Sequence, residues 1–375
     1  MRPDPTLDSL VHRRVLDAAP DHPLDDGALA SLVRQESPLL ATEQVAGVVA
    51  RVRARILGLG PLEPLLADPA VTDILVNGPG PVWVERHGQV MRTGVELDGP
   101  AIDLLVERVV APLGLRADRA NPVVDARLPD GSRVHVVLPP LAVDGPAVTI
   151  RRFGAATLAL GAFCTEEVAA LLAQAVIAGL NMVVSGGTGA GKTTLLNALC
   201  AHVPPGERIV TVEDAAELRL AADHVVRLET RPATADGLRA VGVRDLVRAA
   251  LRMRPDRIVV GEVRGAEALD MVQAMNTGHG GCLSTCHANG PDDGLRRIET
   301  MALQGDTGIP LEAIRSQMAG AIDVVVHVSR TAAARREVSA IAEVSADPLR
   351  THPLTDDHGR VTADCTRPPR TIAKS

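Results

Sequence analysis

The stretch from residue 186 to residue 193 decides the fold class of this chain: Gly186-Gly187-Thr188-Gly189-Ala190-Gly191-Lys192-Thr193. It matches every fixed position of the pattern G-x-x-x-x-G-K-[ST]. The mostly apolar residues 181–185 before it predict a strand, and residues 193–200 after it predict a helix. A strand, a Gly-rich loop and a helix in this order predict a phosphate-binding loop in an α/β domain. A Gly-rich turn that contains a lysine by chance is the weaker alternative.

The residue types of this loop suit a polyphosphate. Glycines let several backbone N–H groups point inward, and the helix N-terminus adds a favourable dipole. Lys192 supplies a point charge for the β- and γ-phosphates, and the hydroxyl of Thr193 is expected to ligate Mg²⁺. The eight loop residues and the following Thr194 are therefore the predicted nucleotide-binding residues. ATP and Mg²⁺ are the expected cofactors, with GTP as an alternative nucleotide.

Hydrolysis requires a carboxylate near the γ-phosphate to orient water. Residues 257–260 predict an apolar strand that runs into Gly261-Glu262, so Glu262 falls at the carboxyl end of a parallel strand, where α/β sheets bind ligands. We expect Glu262 to position the attacking water, although a solvated glutamate at a strand end is possible. The aspartate that often precedes such a glutamate is replaced by Gly261, so Mg²⁺ would rest on Thr193, phosphates and water, with help from Glu213.

A second group of acids follows the predicted strand 208–212: Glu213, Asp214 and Glu217. Three acids beside a phosphate site favour contact with metal-bound water, and Glu213 is the candidate for it. Asp214 could instead cap a helix.

Two histidines, His279 and His287, flank Cys282 and Cys286 near the predicted edge of the site. Zinc is not expected, because side chains alternate along a strand and these four groups would not share one side. We interpret both histidines as neutral donors that sense phosphate or hold the loop, and we group them with the catalytic residues.

Three arginines flank another predicted strand: Arg219, Arg227 and Arg231. Arg227 and Arg231 are candidates to reach a nucleotide across a subunit boundary, as arginine fingers do. Surface ion pairs explain any single one of them equally well.

Composition restricts the function classes. The 375 residues carry a net charge of −7 and contain one Trp, two Phe and no Tyr, which argues against direct binding of nucleic acid through basic patches or stacked bases. Five scattered cysteines do not suggest a disulfide framework, and the first residues do not resemble a secretory leader. The longest apolar stretch, 168–184, is better explained by a buried helix and strand than by a membrane span. A reducing cytoplasm is the expected setting.

Changes in pattern along the chain predict its domains. Residues 1–56 are interpreted as an N-terminal helical arm, and short strands with turns predict a small α+β domain over 57–153. Residues 154–161 are a predicted linker. Strands and helices then alternate over 162–345, which predicts an α/β domain with a largely parallel sheet and a helix that Thr165 caps. Residues 346–375, rich in Pro, Arg and Asp, are interpreted as a mobile tail.

Several blocks together resemble the type II/IV secretion ATPase superfamily, and the CpaF-like branch that drives Tad/Flp pilus assembly in particular. In that family the blocks correspond to the Walker A motif, the Asp box, the Walker B motif and the His box; here they read SGGTGAGKTT (185–194), RIVTVEDAAEL (208–218), LRMRPDRIVVGEVRG (251–265), and AMNTGHGG with STCHAN (274–281, 284–289). The small domain matches through ILGLGPLEPLL (56–66), TDILVNG (72–78), ARLPDGSRVH (126–135) and VTIRRF (148–153). The tetracysteine zinc module of type II secretion ATPases is absent.

The resemblance implies a RecA-like P-loop ATPase domain preceded by a smaller α+β, PAS-like domain. It implies a homohexameric ring that hydrolyses ATP at the cytoplasmic face of the inner membrane and works on a membrane platform protein of a pilus or secretion machine. Conjugation or DNA transfer, and a nucleotide-gated scaffold with negligible turnover, are the alternatives. In the family the N-terminal domain supplies arginines to the nucleotide, and the matching positions here are Arg127, Arg133, Arg151 and Arg152.

Overall fold

A computed structural model describes residues 7, 10, 11, 14, 15, 25–152, 158–233, 237–305, 308–331, 335–346, 349–356 and 358–370, without the side chains of 54–57 and 346. Half of the predicted linker, and parts of the N-terminal arm and of the tail, lie outside the described residues. The chain divides into two compact units, Met1–Gly154 and Ala155–Ser375.

The first unit begins with a helical pair, α1 (Asp26–Glu36) and α2 (Thr42–Leu57). The side chain of Asp25 caps α1 by accepting a 2.7 Å hydrogen bond from the backbone N–H of Ala28. Buried valines and one leucine hold the pair together in a small core of their own. Both helices lie within residues 1–56, which the sequence analysis interprets as a helical arm.

A six-stranded antiparallel sheet forms the body of the first unit, in the order β3-β2-β1-β6-β5-β4. Its buried face packs against α4, which Asp98 caps at the backbone N–H of Ala101. The strands are β1 (Val71–Asn77), β2 (Gly80–Arg86), β3 (Gln89–Leu97), β4 (Val123–Arg127), β5 (Arg133–Val137) and β6 (Ala147–Arg151). The helices are α3 (Glu63–Ala67) and α4 (Gly99–Val110), with 3₁₀ turns at Gly60–Leu62 and Ala111–Leu113.

The described part of the second unit is built on an eight-stranded sheet in the order β14-β13-β12-β7-β11-β10-β8-β9. The six strands from β12 to β9 run parallel, while β13 and β14 extend the sheet in antiparallel fashion. Their bounds are β7 (Met182–Gly186), β8 (Ile209–Glu213), β9 (Val225–Glu229), β10 (Arg257–Val263), β11 (Leu283–His287), β12 (Val324–Arg330), β13 (Arg336–Ala346) and β14 (Leu349–Pro353). This is the α/β, RecA-like fold expected of the P-loop domain.

Helices cover both faces of this sheet. Along β7, Met182 and Val184 join the core under α5 and α6, whereas Val183 joins the core under α7 to α10, because neighbouring strand residues point to opposite faces. The helices are α5 (Glu166–Ile177), α6 (Lys192–Cys200), α7 (Val243–Ala250), α8 (Glu267–Asn276), α9 (Pro291–Leu303) and α10 (Leu311–Ala321), with a 3₁₀ turn at Leu160–Ala162. Thr165 caps α5 as predicted.

The segment predicted as a mobile tail from residue 346 instead packs on the ATPase fold, which corrects that interpretation. It supplies β14, and Arg370 then forms an ion pair with the buried Asp323 at 2.6 Å. Arg367 donates a 2.9 Å hydrogen bond to the carbonyl oxygen of Ala319. The charged residues of this segment bind partners that are distant in sequence. Among the described residues, no helix has the length and apolar character needed to cross a bilayer.

Candidate nucleotide site

The phosphate loop joins the carboxyl end of β7 to the start of α6. A Cβ atom at Gly186 would lie 2.4 Å from the carbonyl oxygen of Val328 on the neighbouring β12, so only glycine fits there. Gly189 and Gly191 have φ angles of 70° and 99°, in the left-handed region that favours glycine. The loop therefore has the strand, turn and helix geometry that its sequence predicts.

Lys192 lies in the middle of this site and is only 8% exposed. Its Nζ atom donates to the carbonyl oxygens of Gly186 at 3.2 Å and Gly187 at 3.1 Å. The same atom lies 3.7 Å from Oε1 of Glu262 and 3.3 Å from both ring nitrogens of His287. Burial lowers the pKa of Lys192, and the charge of Glu262 opposes this effect. A buried ammonium group with few anionic partners is well prepared for a phosphate.

Glu262 stands near the end of β10 and meets groups from three parts of the sequence. Its Oε1 atom lies 2.8 Å from Nε2 of His287, the last residue of β11. Its Oε2 atom accepts hydrogen bonds from Nε and Nη2 of Arg264, at 2.9 and 2.6 Å. Burial lowers the pKa of His287, although the charge of Glu262 opposes this effect. The lowered pKa favours a neutral imidazole. The structure thus brings Lys192, Glu262 and His287 together.

Glu213 ends β8, the strand next to β10, and is 3% exposed. Its Oε1 atom accepts backbone hydrogen bonds from Glu217 at 2.9 Å and Leu218 at 3.0 Å. Burial nevertheless raises the pKa of Glu213 to about 7. A Cβ atom at Gly261 would lie 2.9 Å from Cγ of Glu213, so this carboxylate occupies the space that a side chain at 261 would need. That contact explains the glycine where many ATPases have an aspartate.

The donor set suits Mg²⁺. Thr193 places a hydroxyl group in the first turn of α6, and Oε2 of Glu213 is a buried oxygen with no hydrogen-bond partner among the described residues. Hydroxyl and carboxylate oxygens, completed by phosphate oxygens and water, are the ligands that this ion prefers.

His279 does not lie at this site, which corrects the prediction that both histidines share one edge. It precedes β11, whereas His287 ends that strand, and β11 runs parallel to β7 with Leu283 beside Met182 and His287 beside Gly186. His279 therefore lies toward the amino ends of the strands, where its Nδ1 atom is 3.3 Å from Oγ1 of Thr277. The length of one strand separates the two histidines.

The two cysteines between the histidines are buried inside the domain. Burial raises the pKa of both Cys282 and Cys286 to about 12, so both thiols are protonated at neutral pH.

The remaining acids and arginines of the second unit make local contacts. Asp214 is followed by irregular chain and not by a helix, so it does not act as a helix cap; its carboxylate lies 3.9 Å from Nη1 of Arg264. Arg227 donates to the carbonyl oxygen of Ala216 at 2.9 Å, and its charge lowers the pKa of Glu213. Arg231 donates to a carbonyl oxygen of its own loop, that of Arg239. Of Arg227 and Arg231, Arg227 is the one whose charge acts on a carboxylate of the site.

Of the four arginines of the first unit that were predicted to reach the nucleotide, three form a row across its sheet. Arg127 pairs in register with Arg133 on the next strand, and Arg133 pairs with Arg151 on the strand after it. Residues directly opposite in a sheet share one face, so these three cations lie side by side. Arg152 instead donates to the carbonyl oxygens of Asp68 and Val71, the latter at 2.9 Å, and holds the start of β1.

Two site residues were missed by the sequence analysis. Arg264 follows Glu262 by two residues, directly after β10 ends at Val263, and this short spacing could have revealed the pair. Arg336 contacts the phosphate loop from β13, and its sequence separation of 142 residues from Thr194 leaves no local signal.

These features define a P-loop nucleoside-triphosphatase domain of RecA-like fold. The model of the family described as "Type II/IV secretion system protein" matches residues 56–362, and the chain belongs to that family.

Relatives agree with this family assignment, and a solved structure agrees with the fold. The chain is 43% identical over 316 residues to a Mycobacterium tuberculosis protein whose name assigns it provisionally to conjugal transfer, covering 81% of this chain and 89% of that protein. It is 36% identical over 310 residues to the type IV secretion system protein PtlH of Bordetella pertussis, covering 74% and 91%. The crystal structure of the pilus retraction motor PilT with bound ADP is similar in fold, with a TM-score of 0.57, 20% identity and coverage of 74% of this chain and 81% of that chain.

Proposed function

We propose that this protein hydrolyses ATP and uses the energy to move a secretion or pilus machine. The observation that carries the proposal is the convergence of Lys192, Glu262 and His287 at the carboxyl ends of parallel strands, with Glu262 2.8 Å from His287 and 3.7 Å from Lys192. The family membership supports a secretion-system ATPase in general, and the choice of machine is our further step.

Each residue has a chemical role in this proposal. The ammonium group of Lys192 exchanges the carbonyl oxygens of Gly186 and Gly187 for the β- and γ-phosphate oxygens of ATP. Glu262 orients the attacking water, and the neutral His287 holds its carboxylate in place. Thr193 and Glu213 would hold Mg²⁺, which neutralises charge that develops on the phosphates. Glu213, with its pKa raised to about 7, would bind through a metal-bound water that it can hydrogen-bond in either protonation state.

A homohexameric ring at the cytoplasmic face of the inner membrane, on a polytopic platform protein, is the proposed working form. The arginine row of the first unit (Arg127, Arg133 and Arg151) supports it, because such a row is suited to neutralise phosphate charge in trans. Arg227 and Arg231 remain candidates for the same role. Zinc and direct contact with nucleic acid are not part of the proposal. A catalytic role for His279 would require a neighbouring subunit.

Tad/Flp pilus assembly is the proposed machine, on the CpaF-like pattern of the sequence blocks. DNA transfer is the second candidate, since one relative bears a name that refers to conjugal transfer. In a strain that lacks this chain, loss of surface filaments with normal plasmid transfer would support the first. The reverse result would support the second.

The enzymatic part of the proposal is tested by ATP turnover of the purified chain with Mg²⁺ in its oligomeric form. We expect release of phosphate that Lys192→Ala reduces at least about a hundredfold, because removing a preorganised cation that stabilises charge in the transition state has effects of this order. Arg335→Gln, a loss of one exposed positive charge, serves as the matched control. Nucleotide binding without turnover, even with membranes that contain the platform protein, would favour the scaffold alternative and contradict the proposal.

A further inference from the structure

The sheet topology brings one more strand end to the phosphate loop. β12 runs parallel to β7, so its last residue, Arg330, lies at the carboxyl ends of the strands, where the phosphate loop begins. β13 runs back antiparallel from that edge, and its first residue, Arg336, pairs in register with Arg330. The β12–β13 pair therefore places two arginines beside the loop that begins at Gly186.

Arg336 lies directly against the loop. Its Nη1 atom donates a 3.2 Å hydrogen bond to Oγ1 of Thr194. A Cβ atom at Gly191 would lie 2.6 Å from Cδ and 3.2 Å from Nε of Arg336, so the arginine stem occupies the space over that glycine. Gly191 and Thr194 bracket Lys192 and Thr193, the two residues assigned to the phosphates and the metal. Arg336 thus contacts the loop at different residues from Glu262 and His287.

The charge around Arg336 favours an anion. Among the described residues, no acidic side chain contributes to the electrostatics of Arg336, and the residue remains exposed. Partial burial and the charge of the neighbouring Arg330 both lower the pKa of Arg336. A guanidinium group presents donors in a fork that matches two phosphate oxygens. An incoming phosphate would place negative charge beside the guanidinium group of Arg336.

We propose that Arg336 is a nucleotide-binding residue that donates to a phosphate of the bound nucleotide next to Thr194, on exchange of the Thr194 hydroxyl for phosphate oxygens. The inference rests on the proposed function, because it takes the loop to bind a nucleotide. Arg336 would add one cation, from the β12–β13 pair of the same protomer, to Lys192 and to the arginines that the proposed function assigns to the nucleotide. Its sequence position, far beyond the Walker B and His-box blocks, gives it no place in the motifs that identify the family.

The test is calorimetric titration of the full chain with Mg²⁺-ADP and, separately, with Mg²⁺-pyrophosphate. Arg336→Gln is expected to weaken both affinities about tenfold, as for one charge-assisted hydrogen bond, and Arg336→Lys to weaken them less because a point charge remains. Arg335→Gln removes the same charge from the neighbouring exposed residue and should leave both affinities within about twofold. The thermal midpoint of the nucleotide-free variants should match the wild type, which a merely structural brace would not predict.

Two results would overturn the inference. Equal affinities in Arg336→Gln and Arg335→Gln would show that Arg336 does not contact the nucleotide. A loss for ADP without a loss for pyrophosphate would place the contact on the nucleoside and not on phosphate. A wild-type chain that binds neither probe refutes the proposed function as well, so the two failures are distinguishable.

Discussion

The buried carboxyl group of Glu213 gives the ATPase domain a pH-dependent stability that one isosteric substitution should remove. Glu213 is 3% exposed, and burial raises its pKa from the ordinary 4.5 to about 7. A carboxyl group with a raised pKa holds its proton more tightly in the folded chain than in the unfolded chain. The protonated Glu213 therefore makes its full contribution to the free energy of unfolding below about pH 4.5, and this contribution is lost as the pH rises through about 7.

The size of the effect follows from the two pKa values. At about 1.36 kcal/mol per pKa unit, a rise from 4.5 to about 7 corresponds to about 3 kcal/mol of unfolding free energy lost between these pH values. Glu213→Gln keeps the shape and cannot ionise, so the variant should lack this loss. Relative to the wild type, it should gain about 3 kcal/mol on going from about pH 4.5 to about pH 8.

Hydrogen exchange in β8 and β10, measured against urea at each pH, reports the opening free energy of the domain that contains Glu213. The fluorescence of Trp83, the only tryptophan, follows the first unit in the same samples and should show no difference between the proteins. Glu217→Gln, in the same segment, is the control for a lost negative charge. A difference between the wild type and Glu213→Gln that does not change with pH would refute the reasoning.

Three further predictions concern single side chains. Gly281 has a φ angle of 75°, and a Cβ atom there would overlap the fully buried Arg257. Gly281→Ala should therefore lower the free energy of unfolding by about 2–4 kcal/mol. An unchanged urea midpoint would show that this close contact does not form. Asp323→Asn leaves Arg370 without its buried ionic partner and should cost about 3 kcal/mol; a melting temperature equal to the wild type would show that the C-terminal contact is not stabilising. His287→Asn should reduce ATP turnover at least about tenfold with little change in ADP affinity, because the imidazole positions Glu262; unchanged turnover would exclude that role.

Local sequence patterns were sufficient to predict the structure where residues close in sequence form it. The phosphate loop, its strand and its helix lie within about twenty residues, and the Thr165 cap and the α/β alternation are equally local signals. Glu262 was placed correctly because a parallel strand has a defined ligand-binding end.

Contacts between residues that are distant in sequence, and the two ends of a strand, leave no local pattern in the sequence. The His-box block is one continuous stretch, but its two histidines lie at opposite ends of β11. Of the two, only His287 reaches Glu262. The C-terminal segment looked like a tail because Arg367 and Arg370 read as solvated charges, whereas Asp323, 47 residues before Arg370, neutralises them. Arg336 was missed because a strand pairing brings it to the loop.

The measurement that tests the account most directly is ATP binding and ATP turnover in Glu262→Gln, with Glu312→Gln, an exposed surface change, as the control. If Glu262 orients the attacking water, the glutamine variant should bind ATP with nearly wild-type affinity and lose at least about a hundredfold in turnover. The control should keep both properties. Turnover in Glu262→Gln equal to that of the wild type would contradict the assignment of this site as the centre of hydrolysis.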